Sequence, residues 1–441
     1  MENETDRREF LKRAATRTAA VSMSLYGPST SNVLGANDRI RMGLIGSGRQ
    51  GRDDMGHFIR HGVEVAAVSD VYGPNLQQGQ EAAGGKAATF KDFRQVLDDK
   101  TIDLIVVGTP DHWHALPTVE ACKAGKDVYV EKPISVAIDE GKKMVEAARR
   151  YNRVVQVGTW QRSNAHFQKA VALVQGGFLG KVSLARTWNY ENMFPNGFGN
   201  PPDSDPPPEL DWDMWLGPAP KVPFNQNRFG VAEDRWSTFR YFYDYANGWP
   251  GDWGVHLLDI VQWAMEVDGP RVITAVGKKF RLTDNTDIPD TLWITYEYPE
   301  FVATYESKLC NNGEGHSYGI EFYGTEGTLF VDRGGFEVFP EMVEVNHKPR
   351  GETPAMKMDE IDDGLSNHVA NMLDCMKKRA RPRSDIELIH RTTSACILGN
   401  IALRTGERLV WDAERQRLLK GGPEAEKLLT REYRAPWKLV L

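Results

Sequence analysis

Residues 40–45 form a short apolar run that leads directly into Gly46-Ser47-Gly48-Arg49-Gln50-Gly51. An apolar strand feeding a Gly-x-Gly-x-x-Gly turn is the nucleotide-binding entry of a βαβ unit. The first glycine permits the tight turn, the second lets backbone approach a pyrophosphate, and the third lets the next helix pack close to the strand. That helix offers free N–H groups and the positive end of its dipole to phosphates. The hexapeptide carries little weight alone, because 41 glycines in 441 residues produce such spacings by accident. Its context adds the weight. A second β-rich run, 63–68, ends in Ser69-Asp70, and Asp70 stands 19 positions after Gly51. Such units place the carboxylate that binds the adenosine ribose diol there.

Alternating strand and helix patterns continue to about residue 158: an apolar run at 102–107, a helical pattern at 112–124, a short strand at 127–130, an amphipathic helix at 138–151 and a last strand at 154–157. This alternation predicts an α/β fold with a parallel, doubly wound sheet. Ligands of such sheets sit outside the carboxyl ends of the strands. Thr109-Pro110 and Glu131-Lys132-Pro133 each follow a strand directly, so both are expected to face that crevice. Beyond residue 158 the pattern changes. A helix is predicted at 164–175 and a strand at 182–190, followed by a proline-dense stretch, 192–224. A loop of that length is more often a cover or a functional segment than a connector. The runs between 272 and 345 predict a large, mostly antiparallel sheet with helices on one face, and two helices follow near 365–378 and 386–403. The chain thus divides into 37–158, a dinucleotide-binding domain, and 159–441, a second domain, to which the resemblance given below assigns substrate binding and oligomerisation.

Residues 1–36 have a different character. Asp6-Arg7-Arg8-Glu9-Phe10-Leu11-Lys12 places twin arginines before a hydrophobic pair, a mildly apolar stretch follows at 14–26, and Leu34-Gly35-Ala36 offers a cleavage site. The pattern resembles a twin-arginine export signal, with Arg17 inside the apolar region and the large Leu34 as departures. It implies the twin-arginine export machinery as a partner and a periplasmic or otherwise exported protein. The apolar stretch is too short and polar to remain as a membrane span. A net charge of −7 argues against nucleic acid as a partner. The four cysteines are widely spaced and suggest neither a disulfide framework nor a zinc site. Twelve tryptophans, several between 188 and 263, suit stacking on sugar rings as well as core filling.

Two groups of residues could carry chemistry. Lys132, held between Glu131 and Pro133 at a strand end, could aim an ammonium at a bound nicotinamide; by position alone it could equally be a solvated lysine. The second group is Asp252, His256 and Asp259, at i, i+4 and i+7 of a predicted helix. A carboxylate one turn from an imidazole can orient the ring and raise its pKa, which suits general acid–base work near neutral pH. The alternatives are an Asp252 N-cap beside a structural histidine, or a metal site, for which no third ligand is evident.

Together the glycine loop, Asp70, Thr109-Pro110 with His114, Glu131-Lys132-Pro133, and Asp252 with His256 resemble the Gfo/Idh/MocA oxidoreductase family over about residues 40–403. The resemblance implies a Rossmann domain, a C-terminal α/β domain whose open sheet serves homo-oligomer contacts, and a cofactor bound by Gly46, Ser47, Gly48, Arg49, Gln50, Gly51, Asp70, Thr109, Pro110, His114, Glu131 and Lys132. It implies Lys132, Asp252 and His256 as catalytic residues: Lys132 on the reacting oxygen, His256 taking the hydroxyl proton, and Asp252 holding a neighbouring hydroxyl or tuning His256. No metal is implied. Asp70 favours NAD, while Arg49 keeps NADP open. The expected activity is hydride transfer between tightly bound NAD(P) and a secondary hydroxyl of a carbohydrate: a sugar, polyol or glycoside. The rivals are a redox-neutral NAD-dependent glycosidase or lyase working through a transient keto-sugar, and a non-catalytic dinucleotide-binding protein.

Overall fold

A computed structural model describes residues 39–232, 235–343, 348–349 and 353–441. The twin-arginine pattern lies outside them. The first apolar run becomes β1 (Arg41–Ile45), which joins β2 (Glu64–Ser69), β3 (Ala88–Phe90), β4 (Leu104–Val107), β5 (Asp127–Val130) and β6 (Val155–Val157) in one sheet. The order is β3-β2-β1-β4-β5-β6, and every pairing is parallel. The chain therefore winds outward from β1 in both directions and opens a crevice between β1 and β4, the doubly wound arrangement expected from the sequence. β4 and β5 are buried at every position. This is why they read as continuous apolar runs rather than as alternation.

Helices α1 (Arg49–Arg60), α2 (Ala115–Lys123) and α3 (Ile138–Arg150) connect these strands. The predicted helix at 112–124 begins with a separate 3₁₀ turn, Asp111–Trp113. After β6, α4 (Ala165–Gln175) leads into β7 (Val182–Tyr190), and α5 (Val255–Ala264) precedes the strands of the second sheet. These are β8 (Val272–Lys278), β9 (Thr291–Glu297), β10 (Val302–Lys308), β11 (Tyr318–Gly324), β12 (Gly327–Asp332), β13 (Gly335–Pro340), β14 (Met356–Asp359), β15 (Leu409–Asp412) and β16 (Arg417–Lys420). With β7 they make ten strands in the order β14-β13-β12-β11-β7-β10-β9-β8-β15-β16. Only β7 and β10 pair in parallel, as expected of a mostly antiparallel sheet.

Helices α6 (Gly364–Lys378) and α7 (Ile386–Thr405) tie the halves together. Val369 and Met372 of α6 share a buried cluster with Met42 and Leu44 of β1. No described helix is long and apolar enough to cross a membrane.

The proline-dense stretch and its continuation fold into a cover over the crevice. Trp215, Phe224, Phe229, Phe242 and Tyr245 make their own apolar cluster, with Trp212 stacked on Trp215 at 4.7 Å. The tail after residue 428, to which sequence reading assigned no role, straps this cover down. Arg434 donates its backbone N–H to Pro218 O at 3.0 Å and its guanidinium to Asp213 at 2.8 Å. Trp437 meets Trp113 edge-on at 4.8 Å.

Candidate active site

The glycine loop starts where β1 ends. Gly46 has φ +85°, and a Cβ there would lie 2.6 Å from Thr109 N, so only glycine fits the turn. A Cβ on Gly51 would strike Gly46 O, whereas one on Gly48 would meet nothing closer than Asn75 Nδ2 at 3.9 Å. The space beside Gly48 is the space a pyrophosphate needs. Ser47 closes the loop onto β2 by donating its backbone N–H to Asp70 at 2.9 Å, and Tyr72 N–H donates to the other Asp70 oxygen at 2.9 Å. Burial pushes the Asp70 carboxyl up to about 6, against these hydrogen bonds.

A cavity of about 440 Å³ opens from this loop. Gly46, Gly48, Arg49, Gln50, Asp70, Thr109, Pro110, His114, Glu131 and Lys132 line it from the first domain, and Trp215, Phe239 and Arg240 close it from the cover. The open glycine cradle, the carboxylate after β2 and an apolar roof suit a dinucleotide. His114 reaches the wall, but its ring nitrogens lie 2.6 Å from Pro133 O and 2.9 Å from Thr109 O. Burial lowers its pKa to about 4. A neutral ring has one N–H, so one of these carbonyls faces an acceptor nitrogen. His114 thus braces the two strand-end loops rather than offering a free polar group.

At the far end of the cavity Lys132 meets Asp252. Its Nζ donates to Asp252 Oδ1 at 2.7 Å and to Asp252 O at 3.1 Å. The same Oδ1 lies 3.2 Å from Arg240 Nε. Burial alone would raise the Asp252 carboxyl, but Lys132 and then Arg240 outweigh it and hold it below its ordinary value. Glu131, buried under Lys132, is pushed up to about 7 by burial, and so is Asp111 at the start of the 3₁₀ turn. Asp252 is therefore the ionised carboxylate of this end.

The geometry corrects the sequence reading of the second group. Residues 250–254 form a π-helical turn before α5, so Asp252 neither caps the helix nor follows α-helical spacing to His256. Its carboxylate goes to Lys132. The His256 pKa is not raised but lowered well below the ordinary value, by burial first and then by Lys132, Arg333 and Arg240. Its Nδ1 is buried with no hydrogen-bond partner among the described residues. Asp259 lies away from this chemistry, in a buried pair with Arg162 at 2.7 and 2.8 Å. Asp252 and His256 are also absent from the walls of the 440 Å³ cavity, which ends at Lys132 and Arg240.

Arg240, Asp111 and Arg333 escaped sequence reasoning. Asp111 could have been noticed, since it follows a buried strand as Glu131 does. Arg240 and Arg333 carry no local signal, because one lies in an aromatic-rich 3₁₀ turn and the other after β12.

Two family models account for the described chain. An oxidoreductase-family NAD-binding Rossmann fold matches residues 40–159, and an oxidoreductase-family C-terminal alpha/beta domain matches 163–439. The chain is 31% identical over 150 residues to inositol 2-dehydrogenase 3 of Saccharopolyspora erythraea, covering 33% of this chain and 44% of that protein. It is 28% identical over 169 residues to a glycosyl hydrolase family 109 protein of Shewanella pealeana, covering 33% and 37%. The chain thus spans less than half the length of these curated relatives. A levoglucosan dehydrogenase, solved with NADH and levoglucosan, shares the fold with a TM-score of 0.64 at 15% identity, over 84% of this chain and 99% of that one. Matched across both halves, the chain belongs to the Gfo/Idh/MocA oxidoreductase family and carries its NAD-binding Rossmann domain.

Proposed function

We propose that this protein is a dehydrogenase that moves a hydride between NAD and a secondary hydroxyl of a sugar, polyol or glycoside. The observation that carries this reading is the Lys132–Asp252 ion pair at the end of the cavity that opens from the glycine loop, beside a buried histidine with an unpartnered nitrogen. When bound, the nicotinamide supplies the hydride acceptor. The glycine loop, Asp70, Thr109, Pro110 and Glu131 would hold the dinucleotide. Asp70 favours NAD by repelling a 2′-phosphate, and Arg49 is the counterweight.

Lys132 uses two donors on Asp252 and keeps one for the reacting oxygen. His256 is neutral through the physiological range, so its ring has a free lone pair for the hydroxyl proton. Asp252, kept ionised, fixes Lys132 and can accept a neighbouring hydroxyl. Export through the twin-arginine route to the periplasm, with NAD tightly held, is supported by residues 6–12. A homo-oligomer formed through the open sheet is supported by Val276 and Trp293, paired neighbours on β8 and β9 that are 69% and 45% exposed.

The likeness to a family 109 glycosyl hydrolase favours a second reading, in which a transient keto-sugar permits elimination and NAD is regenerated. Screening sugars and aryl glycosides while following absorbance of NADH separates the two. Net NADH from a free sugar supports the dehydrogenase, and phenol release without net NADH supports the glycosidase. Neither product, with no thermal shift on adding NAD, would sink both.

A further inference from the structure

We propose that the substrate carries a carboxylate and that Arg333 receives it, making the site one for a sugar acid such as a uronate. This rests on the dehydrogenase reading above and adds the substrate's charge. Arg333 follows β12, and its guanidinium carbon lies 4.8 Å from the centre of the Trp160 ring and 4.7 Å from that of Trp253. Its charge also acts on Asp252 and His256, so this cation stands near the reaction cluster. Its Nε is buried without a hydrogen-bond partner, and no carboxylate pairs with it among the described residues. Arg333 and Trp160 line a second cavity, of about 660 Å³, and Gln50 lines both this cavity and the first.

Around Asp252 the cations outnumber the ionised carboxylate. Lys132 and Arg240 already share one oxygen of Asp252, at 2.7 and 3.2 Å. Glu131 and Asp111 are pushed toward neutrality by burial. Arg333 adds a third cation, disfavoured by burial and attracted by Tyr318, Asp252 and Glu360, with no ion pair to either acid among the described residues. Burying a charge is costly unless it is paired and hydrogen-bonded. A planar guanidinium with its faces near indoles keeps its edges for in-plane donors, the geometry that grips a carboxylate with two parallel bonds.

The acidic rim of the second cavity, Asp53, Glu360, Asp362 and Asp363, makes no ion pair with Arg333 among the described residues. Asp362 accepts from Ala165 N–H at 3.1 Å and Asn367 at 2.6 Å, Asp363 accepts from Ser366 N–H at 3.0 Å, and Glu360 accepts from Asn164 at 3.3 Å. A neutral sugar could stack on Trp160, but it would leave the guanidinium unanswered.

The test is calorimetric binding of D-glucuronate and D-glucuronamide, equal in shape and different in charge, to the full protein loaded with NADH. Wild type should bind the uronate about tenfold more tightly than the amide. Arg333→Met should bring the two within about twofold, and Arg333→Lys should keep part of the preference, because charge remains while the fork is lost. Fluorescence of bound NADH shows that each variant is folded. Equal binding by wild type, no binding of either probe, or a preference that survives in Arg333→Met overturns the proposal. NADH formation from neutral sugars at the same rate as from uronates keeps the dehydrogenase and overturns this extension.

Discussion

The dinucleotide cradle and the cluster around Asp252 share one crevice but are assembled in opposite ways. The cradle is local: the loop at 46–51, the carboxylate at 70 and the brace at 72 all belong to one βαβ unit. It depends on what is missing, since Gly46, Gly48 and Gly51 work because no Cβ fills the turn. The cluster is drawn from β5, the cover, the π-helical turn and the end of β12. It depends on what is present, because each charge sets the state of its neighbours. Sterics govern the first region and electrostatics the second, so the two should fail differently when altered.

Lys132→Met gives the largest contrast. On the proposed mechanism it removes the donor to the reacting oxygen and leaves Asp252 to Arg240 alone, so kcat should fall by about 10³-fold. NAD affinity, set mainly at the cradle, should change by no more than about threefold; stopped-flow hydride transfer and NAD titration measure the two quantities. An equal loss in both would erase the division between the regions. Gly51→Ala breaks the cradle the other way. The added methyl strikes Gly46 O, so stability should drop by about 2 kcal/mol in urea unfolding. Gly48→Ala, which points into open space, should unfold like wild type in the absence of nucleotide.

The smallest effect is a pH dependence. With its pKa raised to about 6, Asp70 is ionised above that pH and protonated below it. The ionised form is the better acceptor for ribose hydroxyls, so NAD affinity should be constant above pH 7. It should weaken as pH falls through 6, by about tenfold by pH 5 if the neutral form binds negligibly. Asp70→Asn should bind more weakly but with a flat profile over the same range. A wild-type profile already flat from pH 7 to 5 would remove Asp70 from nucleotide recognition.

The same contrast explains what could be read from the sequence. The Rossmann sheet was legible because buried parallel strands and a glycine turn leave patterns within a few residues of one another. The second sheet was legible as alternation, most plainly in β9, where exposed and buried positions follow in turn. Asp252 and His256 stood out as candidates, but the relation read between them does not hold. The i, i+4 spacing assumes an α-helix, and the π-helical turn at 250–254 together with Lys132, 120 positions earlier, sends the carboxylate elsewhere. Arg240 and Arg333 were invisible for a related reason. An arginine's value here comes from what the fold brings to it, and neighbours in sequence do not record that.

Gln50 belongs to both cavity walls, and this bears on traffic through the site. If the nucleotide fills the cavity under the cover, a carbohydrate entering by the Arg333 side does not have to pass it. Under the proposed function, one sugar would leave oxidised and another enter to be reduced with the dinucleotide held in place. Turnover would then follow alternating, substituted-enzyme kinetics: parallel lines in double-reciprocal plots for the two carbohydrates, and no dependence on free NAD.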